Sequence, residues 1–90
     1  MANITFKNSL NRTIYINMRI GPINVPPNER GEKNDVIKPG ELVDVPVGDG
    51  DAWFCYGNQL ISSVENPPLC NAPGGSKVLL VNTLPCYIDN

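Results

Sequence analysis

The sequence contains no histidine, which is the commonest general base in enzymes and a frequent zinc ligand. A serine or cysteine nucleophile needs such a base beside it. The GxSxG motif, the P-loop and the GxGxxG fingerprint are also missing. We therefore expect no enzymatic activity and no conventional zinc site.

Long hydrophobic runs are absent as well. No apolar run approaches the ~20 residues that cross a bilayer, so no transmembrane segment is expected. The first ten residues, MANITFKNSL, contain neither a basic leader nor the apolar core of a signal peptide. A cytoplasmic location is therefore the default expectation, and export without a classical leader or prior removal of a leader are the alternatives. The 90 residues suit one domain, which we place over residues 1–90.

Basic residues are few. Seven lysines and arginines stand against nine acidic residues, and this balance argues against nucleic-acid binding. The charge is uneven along the chain, since residues 1–38 carry a net +3 and residues 39–90 a net −5. If folding preserves this polarity, it favours head-to-tail contacts between copies, whereas a fold that interleaves the two halves removes it.

The three cysteines, Cys55, Cys70 and Cys86, match no CxxC metal pattern, and at least one of them is unpaired within the chain. Without a visible leader, reduced thiols are the default. The alternative is a disulfide. A Cys55–Cys70 bridge would close a loop of ~15 residues and stabilise the fold by about 3 kcal/mol, and another pairing remains open.

Period-two alternation is the main structural signal present. Residues 13–20, TIYINMRI, place apolar and polar side chains on opposite faces, as in a half-buried strand. Residues 3–6, NITF, repeat the pattern, and residues 8–12, NSLNR, between them predict a hairpin turn. No window of ten residues shows a helical apolar period free of proline and glycine.

Proline and glycine divide the rest of the chain. Residues 21–35 and 65–76 predict loops, and residues 58–64 and 77–84 predict strands, the latter covered on both faces. Residues 36–47 predict a strand, a type II turn at Pro39-Gly40 and a second strand, which Pro46 places at a sheet edge or in a bulge. The fold we predict is a small antiparallel β-sandwich of six to eight short strands without a substantial helix.

The stretch DAWFCYGN, residues 51–58, concentrates aromatic side chains in one strand. Core packing on both of its faces is the simpler interpretation, with Trp53 mostly buried. The alternative is an exposed Trp53 or Tyr56 that binds a small ligand or a carbohydrate, with Asn58 beside it. Twelve asparagines against one glutamine suit turns, and they also suit a surface that recognises sugar hydroxyls.

Asp44, Asp49 and Asp51 form a local group of carboxylates that resembles an oxygen-ligand set for calcium. Their spacing does not match an EF-hand, and aspartates among glycines are more typical of turns. Calcium is the one cofactor that the sequence suggests.

The leading functional expectation is a non-catalytic interaction or structural module that associates with itself or with another protein. It rests on the missing catalytic groups, the uneven charge and the exposed edge strands that a small sheet presents. The alternative is a small-ligand or carbohydrate-binding domain that uses an exposed aromatic ring, with or without calcium.

Overall fold

The computed structural model describes residues 2–61 and 66–89, and within these ranges the chain forms eight β-strands and no α-helix. The strands are β1 (Ala2–Asn8), β2 (Ile14–Gly21), β3 (Glu32–Ile37), β4 (Leu42–Gly48), β5 (Asp51–Gly57), β6 (Cys70–Pro73), β7 (Lys77–Leu80) and β8 (Tyr87–Ile88). A short 3-10 helix, Pro27–Glu29, lies in the loop between β2 and β3. The predicted all-β fold is confirmed.

The strands form two sheets that pack against each other as a sandwich. The three-stranded sheet has the order β4-β1-β7, and the five-stranded sheet has the order β3-β2-β5-β6, with β8 also pairing with β5. Most neighbours are antiparallel, but β1 pairs with β7 and β5 pairs with β8 in parallel. Both parallel pairs use short strands near the end of the chain, which return to strands formed much earlier.

The predicted hairpin between β1 and β2 is wrong, because the two strands belong to different sheets. The chain crosses from one layer to the other at this corner, where Asn8 is fully buried. The Asn8 side-chain amide donates to the carbonyls of Arg12 and Ile37 at 2.7 and 2.8 Å, and its oxygen accepts the Leu10 N–H. A buried amide satisfied in this way holds the corner closed.

Both proline predictions are confirmed. Gly40 has a φ of +76°, and the Glu41 N–H donates to the Lys38 carbonyl at 3.0 Å, as a type II turn at Pro39-Gly40 requires. Pro46 lies on β4, an edge of the three-stranded sheet, and the register with β1 shifts beside it. An edge or a bulge is where a residue without an N–H is tolerated.

The loop and strand predictions elsewhere are partly wrong. β3 begins inside the predicted loop 21–35, and β6 lies inside the predicted loop 65–76. Of the strand predicted over residues 58–64, residues 58–61 are not in a strand and residues 62–64 lie outside the described ranges. β7 is covered on one face only, since Leu79 is 60% exposed. Only the end of β3, Val36 and Ile37, was predicted as a strand, because residues 32–35 are polar or charged and show no apolar alternation.

The core lies between the two sheets. Phe6 on β1 meets Phe54 on β5 edge to face, with ring centroids 5.1 Å apart, and this contact joins the layers. Tyr56 continues the cluster behind Phe54. The other fully buried large side chains are Ile4, Ile14, Ile16, Met18, Ile37, Val45 and Leu80.

A disulfide between Cys70 and Cys86 ties β6 to the turn before β8, with a Cα–Cα distance of 5.6 Å. Cys55 is buried and free. The Cys55–Cys70 alternative is wrong because Cys70 lies opposite Phe54 in the β5–β6 register and therefore shares its face. Cys55, one residue further along β5, points to the other side of the sheet.

Replacing Cys70 with serine removes this link, whose partners are 16 residues apart. We expect the free energy of unfolding to fall by about 3 kcal/mol, as measured by urea denaturation. The variant should also be insensitive to reductant, whereas the wild-type midpoint should drop to the variant's value when dithiothreitol is added. Equal midpoints for oxidised and reduced wild type would contradict the pairing.

Candidate functional site

The outer side of the five-stranded sheet, which points away from the core, carries a patch of polar and aromatic side chains that we call the Trp53 face. The β2–β3, β2–β5 and β5–β6 registers arrange its members in three rows across the strands. The first row is Glu32, Arg19, Trp53 and Asn71, the second is Asn34, Asn17 and Cys55, and the third is Val36, Tyr15 and Gly57.

Trp53 is the accessible aromatic ring at the middle of the first row. Every other residue of β5 is buried, whereas Trp53 is partly exposed. Arg19 on β2 and Asn71 on β6 lie directly opposite Trp53 on its two neighbouring strands. The expectation that Trp53 is mostly buried on the same face of β5 as Cys55 is therefore confirmed, although part of the tryptophan stays exposed.

The polar side chains beside Trp53 are linked to each other but not fully satisfied. The Asn17 amide donates to Asn34 Oδ1 at 3.0 Å, and Arg19 Nη2 lies 3.2 Å from Glu32 Oε1. Asn17 is only 2% exposed, yet Asn17 Oδ1 and Arg19 Nε are buried without a hydrogen-bond partner among the described residues. A buried polar atom left unpaired costs about 1–3 kcal/mol, so the face holds one unmet acceptor and one unmet donor.

Cys55 lies in the second row beside Asn17, and its thiol is unsuited to nucleophilic chemistry. Burial raises the pKa of the thiol to about 11, while the positive charge of Arg19 lowers it and the negative charge of Glu32 raises it by smaller amounts. A thiol with this pKa is protonated at neutral pH. Cys55 therefore contributes packing to the Trp53 face and no reactive group.

A buried ion pair fixes the first residue of β5, two positions before Trp53. Arg30, on the β2–β3 loop, has a side chain only 1% exposed, and its Nη1 lies 2.6 Å from Asp51 Oδ1. The same guanidinium donates to the carbonyls of Val25 at 2.8 Å, Pro22 at 2.7 Å and Asp51 at 3.1 Å. Among the described residues, Asp51 Oδ1 has no partner besides Arg30 in this ion pair.

The second oxygen of Asp51 continues the link to the Trp53 face. Asp51 Oδ2 accepts from the Asn71 amide at 2.7 Å, and Asn71 also donates to the Ala52 carbonyl at 3.3 Å. Burial alone would raise the pKa of Asp51, but the hydrogen bonds from Asn71 and Arg30 and the charge of Arg30 outweigh it and lower the pKa. The carboxylate is thus held in its ionised form and orients Asn71 opposite Trp53.

The predicted calcium group is not assembled by the fold. Asp51 is occupied by Arg30 and Asn71, and Asp44 accepts from the Thr5 hydroxyl at 2.5 Å on the other sheet. Asp49 is exposed in the turn between β4 and β5. Among the described residues no three acidic or cysteine side chains lie close enough to hold a metal ion. The prediction that these three aspartates lie together as calcium ligands is therefore wrong.

The other two predicted ligand residues lie away from the Trp53 face. Tyr56 is fully buried and its hydroxyl donates to the Val81 carbonyl, so the prediction of an exposed Tyr56 ring is wrong. Burial raises the pKa of Tyr56 to about 12. Asn58 accepts from Arg12 Nε at 2.6 Å and from the Tyr87 hydroxyl at 3.2 Å, and these bonds tie the β1–β2 corner to the C-terminal segment.

Sequence reasoning missed the polar partners of Trp53. Tyr15, Asn17 and Arg19 were visible as the polar side of the alternating stretch TIYINMRI. Nothing in the sequence indicated that this side meets Trp53 and Asn71, because that depends on which strands are neighbours and in which register.

A separate cleft of about 490 Å³ lies at one end of the sandwich, lined by residues 21–24, residues 49–50 and Val47. Its floor is tight backbone, since a Cβ on Gly50 would come within 2.1 Å of the Gly21 carbonyl oxygen. The walls are mainly apolar and include Ile23, which is 72% exposed. No unpartnered buried polar atom from the described residues lines this cleft.

Comparison with protein-family models, with curated proteins and with solved structures finds no match to this chain. In the part of the chain that the structure describes, no helix is long and apolar enough to cross a membrane.

The Cys55 thiol should resist alkylation in the folded protein. With a pKa of about 11, roughly one thiol in a thousand is ionised at pH 8, and burial also blocks access. After iodoacetamide treatment, mass spectrometry should find Cys55 unmodified in the native protein and fully modified in guanidinium. Alkylation of the native protein at the unfolded rate would contradict the buried position.

Acid should destabilise the protein through Asp51. The folded-state pKa is lowered, so the stabilisation is complete above the ordinary aspartate pKa and is lost as the pH falls below about 4. Asp51→Asn should cost about 3–5 kcal/mol at pH 7, because it leaves Arg30 buried without a counter-charge. Its stability should also vary less between pH 5 and pH 3 than that of the wild type.

The matched control for Asp51→Asn is Asp49→Asn, an exposed aspartate two residues away. It should change the free energy of unfolding by less than about 0.5 kcal/mol. Urea denaturation of both variants at the two pH values makes the comparison. Equal costs for the two substitutions would show that the ion pair does not stabilise the fold.

Proposed function

We propose that the protein is a non-catalytic binding module that holds a neutral, hydroxyl-rich ligand of the carbohydrate class on the Trp53 face. The observation that carries the proposal is the partly exposed Trp53 beside Asn17 Oδ1 and Arg19 Nε, two buried polar atoms that have no hydrogen-bond partner among the described residues. A ligand that pairs with both atoms removes a cost that the free protein bears.

The chemistry of a sugar matches this pair of features. One side of a sugar ring presents C–H groups, which can lie on the apolar face of an aromatic ring, while the hydroxyls at its edge remain available. A hydroxyl both donates and accepts, so it can donate to Asn17 Oδ1 and accept from Arg19 Nε once the side chains that cover these two buried atoms turn aside. An apolar surface with a few placed polar groups is the usual composition of a small-molecule site.

The charge on the face favours a neutral ligand over an anion. The positive charge of Arg19 is already paired with Glu32 at 3.2 Å, and the three asparagines are uncharged. An anionic ligand would have to compete with the Glu32 carboxylate for Arg19. The rows also lie on hydrogen-bonded strands, which hold the backbone of these residues in place before a ligand arrives.

Titration with neutral disaccharides tests the proposal, because Trp53 is the only tryptophan and its fluorescence reports on this face. The probes are cellobiose, maltose and chitobiose at millimolar concentrations in EDTA, with glycerol as the control polyol. We expect a saturable change in Trp53 emission and a higher melting temperature with at least one disaccharide, and no saturable change with glycerol.

A matched pair of variants separates specific binding from a general effect. Arg19→Met should weaken binding about tenfold or more, because it removes a donor from a charged group. Arg12→Met, an arginine at the Asn58 end of the molecule, should leave the affinity unchanged. If no disaccharide changes the emission or the melting temperature of the folded wild type, the proposal fails.

A further inference from the structure

The outer side of the three-stranded sheet carries a second patch, which we call the leucine face. Its register places Lys7 of β1 opposite both Leu42 of β4 and Leu79 of β7, and Thr5 opposite both Asp44 and Lys77. The face therefore has two rows, Leu42-Lys7-Leu79 and Asp44-Thr5-Lys77. The two leucines are 59% and 60% exposed, so each edge of this small sheet presents a large apolar side chain to solvent.

The charges on the leucine face are also separated by edge. Asp44 lies on β4 and Lys77 on β7, on opposite sides of the central strand β1. Each edge thus presents one leucine with one charge beside it, negative on β4 and positive on β7. The charges on the two edges of a single copy are therefore opposite in sign, and both edges carry a leucine.

Edge-to-edge pairing, the expected route to self-association, is opposed by the edge strands themselves. β3 turns Lys33 and Asp35 toward the side of the sheet that faces the core, and Asp35 Oδ1 accepts the Val36 N–H at 2.9 Å. β4 carries Pro46, which has no N–H to offer. Charged residues, an occupied edge donor and proline are devices that keep sheet edges from pairing.

We propose that the leucine face is a self-association surface, on which a second copy of the chain packs face to face about a two-fold axis running along β1. Such an axis lays β4 of each copy over β7 of the other. Leu42 of one copy then meets Leu79 of the other, and Asp44 meets Lys77. Two-fold symmetry repeats both contacts, so the dimer contains two leucine–leucine contacts and two ion pairs.

The geometry also indicates that the dimer is weak. Three strands about 4.8 Å apart, with a few facing residues each, give a contact of roughly 300 Å² per copy. Stable interfaces bury about 800 Å² per partner. Lys7 lies next to the axis and faces Lys7 of the second copy, so the two positive charges repel each other. We therefore expect a reversible dimer at protein concentrations of hundreds of micromolar or more.

A charge exchange tests the arrangement by sedimentation equilibrium over a concentration series at low salt. Asp44→Lys and Lys77→Asp should each weaken self-association by ~tenfold or more, because each variant opposes like charges across the axis. An equimolar mixture of the two variants should form a heterodimer at least as readily as the wild type dimerises, because every cross-axis pair is then attractive. Restored association in the mixture cannot come from misfolding of either variant.

Three further variants complete the test. Leu42→Glu should abolish dimerisation, whereas Leu60→Glu, at a leucine that is 58% exposed and outside the leucine face, should leave it unchanged. Lys7→Gln should strengthen dimerisation by removing the charge on the axis. A monomeric wild type at millimolar concentration, or a mixture that associates no better than the single variants, would overturn the proposal.

Discussion

The arrangement of this sandwich depends on one buried interaction, the ion pair between Arg30 and Asp51. The Arg30 guanidinium donates hydrogen bonds to carbonyls of the β2–β3 loop, and the Asp51 carboxylate accepts a hydrogen bond from Asn71 on β6. Three segments distant in sequence are thereby fixed at the beginning of β5. Because both groups are buried, neither can lose its partner without leaving an uncompensated charge, so the network holds as a unit. Trp53 lies two residues from this anchor, between Arg19 and Asn71.

The two outer faces of the sandwich differ in the kind of contact they can make. The Trp53 face combines an aromatic ring with one donor and one acceptor that are unpaired among the described residues, which is the chemistry of the polar ligand proposed for it. The leucine face combines exposed apolar side chains with charges of opposite sign on its two edges, which suits a second protein surface. The faces belong to different sheets, so occupation of one leaves the other free.

Alternation along the chain was enough to predict β2, because Ile14, Ile16 and Met18 face the core and the residues between them do not. It could not predict the charged first part of β3, residues 32–35, or the crossing of the chain between sheets at Asn8. Trp53 was identifiable as a candidate, but its partners were not, since Asn17, Arg19 and Asn71 reach it only through strand register. Asp51 resembled a calcium ligand for the same reason: its partner Arg30 lies 21 residues earlier, in a loop whose path the sequence does not show.

The central claim is that the unsatisfied atoms beside Trp53 mark a binding site for a neutral, hydroxyl-rich ligand. Nuclear magnetic resonance of side-chain N–H groups during a cellobiose titration tests it directly. We expect the resonances of the Trp53 indole, of Arg19 Nε–H and of the Asn17, Asn34 and Asn71 amides to shift. The resonances of the Asn8 and Asn58 amides should stay unchanged. Shifts confined to Asn58 and its neighbours, or no shifts in any of these groups up to the solubility limit of the sugar, would contradict it.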